Sequence, residues 1–363
     1  MAAAPALRKE LMRRLLHYAT LIGAVVLALG VHDPAATAQT SEATIPARLP
    51  AQLDGYIRSI ARFTPAQIKS LLGGSAVVKL LDTPTADEVA VFGAVWINAP
   101  LGRYVDAVKD IETFERGPKF LVTKRISDPP RLEDFARLVL PDDDVKDLRT
   151  CRIGDCEVQL SQSELEELHR EIDWSKPTSR ADVNVFMRRR AYEFVTGYLE
   201  GGNERLSVYR DSKRPTFVSA EFKSMIDRLP EFVDFLPGLQ RYLLEYPKGS
   251  LPGDNSFLYW QTVDFGLKPT IRINHVVIRP GEKGAAVAIK MLYASHYFWT
   301  ALDLRVLMPD PARGPGFWFV SLARSRSDGL TGFTGWLIRN RVRREARNGA
   351  LEALRGTKTR LEK

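Results

Sequence analysis

The stretch Val89-Ala-Val-Phe-Gly-Ala-Val-Trp-Ile-Asn-Ala-Pro100 begins as an apolar run and ends in a corner. Valine, phenylalanine, tryptophan and isoleucine favour strands, so the run predicts a strand over Glu88–Asn98. Asn98-Ala99-Pro100 then predicts the start of a helix, because proline suits the first turn and the apolar residues that follow recur at helical spacing. The preceding run, Ala76–Asp82, is β-rich too, and Thr83-Pro84-Thr85 between the two runs predicts a hairpin.

Downstream of this stretch, one more strand is predicted over Lys119–Ile126, and the last third of the chain is rich in strands. Four runs there read as an antiparallel meander with turns at Pro280-Gly281 and Asp310-Pro311. They are Thr270–Ile278, Ala285–Ser295, His296–Met308 and Gly316–Ser325. A long helix from Phe333 to about Arg355 follows them. The sequence therefore predicts an α+β fold with an antiparallel sheet and a long C-terminal helix.

Two other segments are mostly helical. Residues 39–74 contain Thr64-Pro65-Ala66-Gln67, a capping box with proline at the first helical position, and Gly73-Gly74 ends that helix. Residues 131–254 contain a second capping box at Ser161-Gln-Ser-Glu164. We find no internal repeat and no low-complexity stretch in the chain.

This order of elements resembles START-like (helix-grip, SRPBCC-type) domains. The resemblance rests on Val89–Pro100, on Tyr104-Val105 and Asp110-Ile111-Glu112 after it, and on the strands that precede a long final helix. It covers residues 75–130 and 255–360, and it implies that residues 131–254 are an insertion. It also implies a sheet curled around the last helix, with a cavity between them for lipids, sterols or polyketide-like ligands.

The residue pattern of the last helix gives predictions that do not depend on this resemblance. At 100° per residue, small and apolar residues fall on one arc of the helix. They are Gly335, Ile338, Val342, Ala346, Gly349, Ala350 and Ala353. Small side chains on a buried arc have two explanations, close packing on the sheet or room left for a ligand, and Ala346 and Ala350 are candidate ligand contacts under the second.

The other side of this helix is basic. From Arg339 onward there are nine basic groups against three acidic ones, in a chain of net charge +8. The candidates for contact with an anionic membrane surface are Arg341, Arg343, Arg344, Arg347 and Arg355. An ordinary solvated helix face explains the same pattern, and export argues against nucleic acid as a partner.

Strand alternation predicts which residues face a cavity. Arg272 and Asn274 share one face of their strand, so Ile273 and His275 point the other way. If Lys290 marks the solvent side of the next strand, Met291, Tyr293 and Tyr297 point inward. His275 is then either a core histidine with a satisfied hydrogen bond or a donor to a ligand head group, with Tyr293 as its partner.

The N-terminus has the three parts of a secretory signal. Arg8, Lys9, Arg13 and Arg14 precede the uncharged run Leu15–Val31, and Ala36-Thr37-Ala38 offers a small-residue cleavage site. We expect cleavage after Ala38 and a periplasmic or secreted protein, with an uncleaved anchor as the alternative.

The chain has two cysteines, Cys151 and Cys156, and they fit an oxidising compartment. Gly154-Asp155 supplies a turn that can bring the sulfur atoms together, so we expect a local structural disulfide. A redox switch is the alternative. Two thiols alone make a poor zinc site, since zinc usually takes four ligands.

The motifs of common enzyme classes are missing. The sequence has no Gly-x-Ser-x-Gly elbow, no phosphate loop, no dinucleotide fingerprint and no His-Glu-x-x-His, and it predicts neither a metal nor a cofactor. The resemblance to START-like domains implies instead an exported protein that binds or carries an apolar, lipid-like ligand. Two alternatives stay open: a cavity enzyme of unknown reaction, and a cell-envelope interaction or structural protein with a packed core.

Overall fold

The computed structural model describes residues 48–227, 229, 238–249, 255–264, 267–281, 284–330 and 332–363. The predicted secretory signal, residues 1–38, lies outside them. In the part of the chain that is described, no helix is both long and apolar enough to cross a membrane.

Eight of the ten described strands form one antiparallel sheet, and the other two form a separate two-stranded ribbon. In chain order the strands are β1 (Val77–Leu80), β2 (Glu88–Ile97), β3 (Phe120–Arg125), β4 (Val208–Tyr209), β5 (Thr216–Phe217), β6 (Asn255–Val263), β7 (Thr270–Gly281), β8 (Gly284–Ala294), β9 (Phe298–Pro309) and β10 (Phe317–Ser327). The order across the large sheet is β1-β2-β10-β9-β8-β7-β6-β3, and β4 pairs with β5. The predicted hairpin of β1 and β2 and the predicted meander of β7 to β10 are confirmed.

The described helices are numbered in chain order. They are α1 (Ala51–Ser59), α2 (Pro65–Leu72), α3 (Leu101–Lys109), α4 (Ile111–Phe114), α5 (Asp142–Thr150), α6 (Gln162–Glu171), α7 (Ser179–Gly201), α8 (Val218–Ile226), α9 (Leu239–Glu245) and α10 (Gly332–Leu361). Both capping boxes predicted from the sequence are present, at Thr64 and at Ser161. The last helix is longer than predicted and runs to Leu361. The prediction of an α+β fold with a large antiparallel sheet and a C-terminal helix is confirmed.

The sheet has helices on both faces. We call the face that carries Val276, Ile289, Leu307 and Phe319 the front face; α3, α4 and α10 pack on it. We call the opposite face the back face; it packs against α1 and α2 at one end and against the helical segment between β3 and β6 at the other. β2 lies between these two layers and is buried along its whole length.

The predicted disulfide between Cys151 and Cys156 is present. It closes a short turn in the helical segment, where the backbone N–H of Gly154 donates to the carbonyl of Arg210 and that of Cys156 to the carbonyl of Asp211. These hydrogen bonds tie the disulfide-closed turn to the loop that connects β4 to β5.

Candidate functional site

The front face is the part of the fold where a long helix crosses the sheet without covering it fully. At its C-terminal end α10 is docked, since Leu354 is 2% exposed and Leu361 is 4% exposed. Lys358 Nζ donates to the carbonyl of Trp96 over 2.7 Å. A Cβ atom at Gly93 would lie 2.6 Å from Leu354 Cδ1, so the glycine permits this close approach of helix and strand.

Toward its N-terminus the same helix is less well covered. Ile338, Val342, Ala346 and Ala350 pack against the front-face cluster, yet each is only partly buried. A purely structural helix of this length would bury a continuous apolar stripe, because protein cores are close-packed. The contrast between a docked end and a partly exposed middle leaves apolar surface along α10 that the rest of the described chain does not cover.

The strands beneath carry partly exposed residues on the same face. On β9 these are Ala301, Asp303 and Arg305, and on β10 they are Ser321 and Ser325. Register places Arg305 opposite Ser321 and Ala301 opposite Ser325. The front face is therefore apolar around Leu307 and Phe319, and it carries both polar and apolar residues around Asp303 and Ser325.

A hydrogen-bonded polar cluster joins α3 and α4 to these strands. Arg305 donates to the hydroxyl of Tyr104 over 2.8 Å and lies 3.7 Å from the carboxylate of Asp303. Tyr259 on β6 donates to the carboxylate of Glu115 over 3.1 Å. Burial raises the pKa of Tyr104 and of Glu115, although Arg305 and, for Glu115, Arg272 act in the opposite sense.

This polar cluster contains two guanidinium groups, Arg272 and Arg305, and two carboxylates, Glu115 and Asp303. Its charges balance. The side-chain amide of Gln261 links the two signs when its nitrogen faces Glu115 and its oxygen faces Arg272.

Asn274 lies beside this cluster on β7, directly across from Tyr259. The Asn274 side chain is 3% exposed, and its amide nitrogen has no hydrogen-bond partner in the described part of the chain. A buried donor without an acceptor costs about 1–3 kcal/mol, so most such groups in proteins are satisfied. On the other flank Asn274 pairs with Met291 of β8, which also faces the front.

The other strand residues predicted to line the cavity lie elsewhere. Ile273 and Tyr293 belong to the back-face cluster formed with the helical segment, and His275 shares that face. Tyr293 donates to the carbonyl of Gln159 over 3.0 Å, and His275 contacts Tyr198 of α7. Ala346 and Ala350 lie on the opposite side of the sheet, so no single pocket can be lined by both sets of residues.

Tyr297 lies in the turn between β8 and β9, where it has a φ of 65°. Its hydroxyl accepts a hydrogen bond from the backbone N–H of Lys268. Of the strand residues predicted from the sequence, Met291 is the one that lies on the front face, opposite Asn274.

Lys290 was expected on the solvent side of β8, and that expectation is wrong. The side chain is fully buried on the back face and donates to the side-chain oxygen of Asn203, with the Tyr198 hydroxyl and the Leu243 carbonyl each at 3.4 Å. Its ammonium also lies 4.5 Å from the ring centre of Phe222. Burial lowers the pKa of Lys290 to about 7.

His275 shares this buried environment. Its Nδ1 lies 2.9 Å from the hydroxyl of Tyr198, and the ring of Tyr246 packs edge-on against its ring. Burial and, secondarily, the charge of Lys290 lower the pKa of His275 to about 3, so the imidazole is neutral at ordinary pH. His275 is thus a core histidine with a hydrogen-bonding partner, which was one of the two explanations offered by the sequence.

A second histidine, His296, lies in the turn between β8 and β9, and a carboxylate is one of its partners. Its Nε2 lies 2.9 Å from a carboxylate oxygen of Asp144, and its Nδ1 lies 2.8 Å from the carbonyl of Glu157. Both ring nitrogens are engaged by the protein itself, so this pair ties α5 to the sheet and leaves no nitrogen for a substrate. Among the described residues, no group of three His, Cys, Asp or Glu side chains is placed to hold a metal ion.

Comparison with known proteins finds no matching family model, no similar curated protein and no similar solved structure. What this chain binds has to be inferred from its own residues.

Two features of this region could not be found from the sequence. Arg272 and Asn274 were recognised as one face of a strand, but alternation alone cannot tell a solvent face from a second buried face. The pairing of Arg305 with Tyr104 joins residues that are far apart in the chain. The signal that was present is the row of polar residues at alternate positions in strands that are otherwise apolar.

Proposed function

We propose that this chain is an exported START-like (helix-grip) protein that holds an apolar, lipid-like ligand on the front face of the sheet, beneath α10. The order of elements supports the fold assignment: β2, the helices α3 and α4, then β3, five antiparallel strands from β6 to β10, and the long helix at the end. The helical segment between β3 and β6 packs on the back face, which is consistent with an insertion.

The observation that carries the proposal is the uneven docking of α10. Its C-terminal end is anchored by Leu354 and Leu361, whereas Ile338, Val342 and Ala350 are partly exposed above the same face. Apolar surface left in water costs about 25 cal/mol per Å². A bound apolar molecule would recover that free energy, and ligand pockets are typically apolar with a few polar groups.

The small residues of α10 provide the test. Ala346→Leu and Ala350→Leu place extra volume toward the front face, while Ala353→Leu places it on an exposed position of the same helix and serves as the control. If a ligand lies beneath α10, the first two variants lose bound lipid, and after delipidation their melting temperature equals that of the delipidated wild type. If the core is closely packed, they lose about 1–3 kcal/mol of stability instead.

Native mass spectrometry of protein purified from the periplasm measures lipid retention, and differential scanning calorimetry of the same samples measures stability. We expect a co-purifying lipid in the wild type and in Ala353→Leu, and a reduced amount in Ala346→Leu and Ala350→Leu. An unliganded wild type together with destabilised Ala346→Leu and Ala350→Leu variants would reject ligand carriage.

The basic side of α10 suggests where ligand exchange takes place. Arg341, Arg344, Arg347 and Arg355 are exposed, and Arg343 is partly exposed. Basic groups near an anionic membrane surface contribute on the order of 1 kcal/mol each and are screened by salt. We propose a weak, salt-sensitive contact between this side of the helix and an anionic membrane.

A further inference from the structure

A cleft in the helical segment has no part in the lipid site proposed above. It lies between the first turn of α6, the second half of α7 and Ser207 just before β4, and its volume is about 320 Å³. Small-molecule sites begin at roughly 300 Å³, so the cleft has room for a small ligand. Both helices pack on the back face of the sheet, whereas α10 packs on the front face. The cleft is therefore a second candidate site, separate from the first.

Gly197 leaves the floor of the cleft open. It lies inside α7, where a glycine costs about 1 kcal/mol relative to alanine. Apart from its chain neighbours and the backbone of its own helix, a Cβ atom at Gly197 would meet no atom within 4 Å. No neighbouring element therefore requires a glycine here, and the effect of the missing side chain is the space above this turn of α7.

The charged groups on the walls are of both signs. Arg190 Nη1 donates to the carboxylate of Glu193 over 2.5 Å, and Arg190 Nε lies 4.0 Å from a carboxylate oxygen of Glu164. Arg205 is exposed and forms no ion pair with the described residues. Two guanidinium groups and two carboxylates thus line the cleft, and the donors of Arg205 are free for a ligand.

These charges favour an uncharged ligand. An anion bound to Arg205 would share the cleft with Glu164 and Glu193, and a cation bound to either carboxylate would share it with both arginines. Like charges that share one site repel each other. An uncharged molecule avoids this repulsion and can still hydrogen-bond to the charged groups of the walls.

Hydroxyl groups match these walls because one hydroxyl both donates and accepts a hydrogen bond. Carboxylates accept, guanidinium groups donate, and the hydroxyls of Ser163 and Ser207 can do either. The ring of Phe194 is partly exposed and supplies an apolar surface, with its centre 6.2 Å from the ring centre of Tyr293. A sugar ring carries hydroxyl groups around its edge and C–H groups on its faces, so it fits both kinds of surface.

We propose that this cleft binds a neutral saccharide, with Arg205 donating to one sugar hydroxyl, Glu193 accepting from another, and Phe194 packing against a face of the ring. The proposal goes beyond the lipid-like ligand of the front face, since the two ligands differ in polarity and lie on opposite sides of the sheet. Failure of either proposal therefore leaves the other testable.

The test is an NMR chemical-shift titration of the protein at pH 7 with two neutral sugars, D-glucose and N-acetyl-D-glucosamine, and two charged analogues, D-glucosamine and D-glucuronate. We expect saturable shifts from at least one neutral sugar at the amides of Ser163, Glu193 and Gly197, with an affinity that added salt leaves unchanged. Both charged analogues should bind more weakly than that sugar. No saturable shift from either neutral sugar, or a charged analogue that binds at least as tightly, would overturn the proposal.

Variants locate the binding site. Gly197→Leu should remove the shifts and keep or raise the melting temperature, because leucine fills the floor of the cleft and favours a helix more than glycine does. Gly55→Leu, at an exposed glycine of α1 with equally free space around it, is the control and should keep sugar binding. Arg205→Leu should weaken binding about tenfold through the loss of a charged hydrogen bond. Wild-type affinity in Gly197→Leu or Arg205→Leu would reject this cleft, and the comparison of the four sugars in the wild type is decisive even where a variant does not fold.

Discussion

Lys290 gives the sharpest prediction about pH. Its ammonium is buried among Asn203, Tyr198 and Phe222, and none of the hydrogen-bond partners that the described residues supply is a carboxylate. Burial lowers its pKa to about 7 in the folded protein. In the unfolded chain the ordinary value is 10.5. A difference of that size corresponds to about 5 kcal/mol between the two states.

The sign of the change in stability with pH follows from the number of protons bound by the folded and unfolded states. Between pH 7 and pH 10.5 the unfolded lysine is protonated and the folded lysine is largely neutral, so unfolding takes up a proton. Raising the pH through this range therefore stabilises the folded protein, and the full cost of burying the charge is reached only below the folded pKa of about 7. The free energy of unfolding should rise by about 2 kcal/mol between pH 7 and pH 9 from this residue.

Urea unfolding of the wild type and of Lys290→Met at pH 7, 8 and 9 measures the effect. The stability of Lys290→Met relative to the wild type should fall by about 2 kcal/mol across this range. The stability difference at any single pH is less informative, since methionine also leaves Asn203 and the Leu243 carbonyl without their donor. Lys223→Met, at an exposed lysine of α8, is the control and should keep the wild-type slope. Equal slopes for the wild type and Lys290→Met would refute the neutral buried lysine.

Three further predictions concern other parts of the chain. Reducing Cys151–Cys156 should lower stability by about 2 kcal/mol and leave the circular dichroism spectrum unchanged, because the bridge closes only a short loop; loss of tertiary signal on reduction would contradict this. The double variant Arg344→Glu and Arg347→Glu should no longer co-sediment with anionic vesicles at low salt. If the wild-type protein does not co-sediment either, the proposed membrane contact is wrong. N-terminal sequencing of periplasmic protein should begin at Gln39, and recovery of the intact apolar run in membranes would show an anchor instead.

Local patterns in the sequence predicted local structure well. The capping box at Thr64 and the turn between Cys151 and Cys156 depend on residues a few positions apart, and both are present. The hairpins of the C-terminal meander were predicted for the same reason, since turn residues and strand-forming runs alternate there. β6 was missed because Asn255–Val263 is buried on both sides over most of its length and shows no clear alternation.

The faces of the sheet were harder to predict because helices cover both of them. A lysine in an alternating strand normally marks solvent, and Lys290 is buried because α7, α8 and α9 supply its partners and aromatic neighbours. The same rule separated Ile273 and His275 from Asn274 correctly, but it did not show that a helical layer covers the face that carries Ile273 and His275. Which layer lies over which face depends on contacts between residues far apart in the chain, and alternation contains no information about them.

The attachment of the helical segment has a consequence for how the sheet assembles. β3 and β6 pair as the two arms of a hairpin, with Arg125 opposite Tyr259, although more than a hundred residues separate them in the sequence. The entropy of closing a loop grows only with the logarithm of its length, so this distance adds little to the equilibrium cost. It does slow the search for the pairing, since distant contacts form later than near ones. The strands from β6 to β10 are joined by short turns and can pair early, whereas β3 pairs with β6 later. Before β3 pairs, β6 is an open edge of the sheet, to which a strand from another molecule could add.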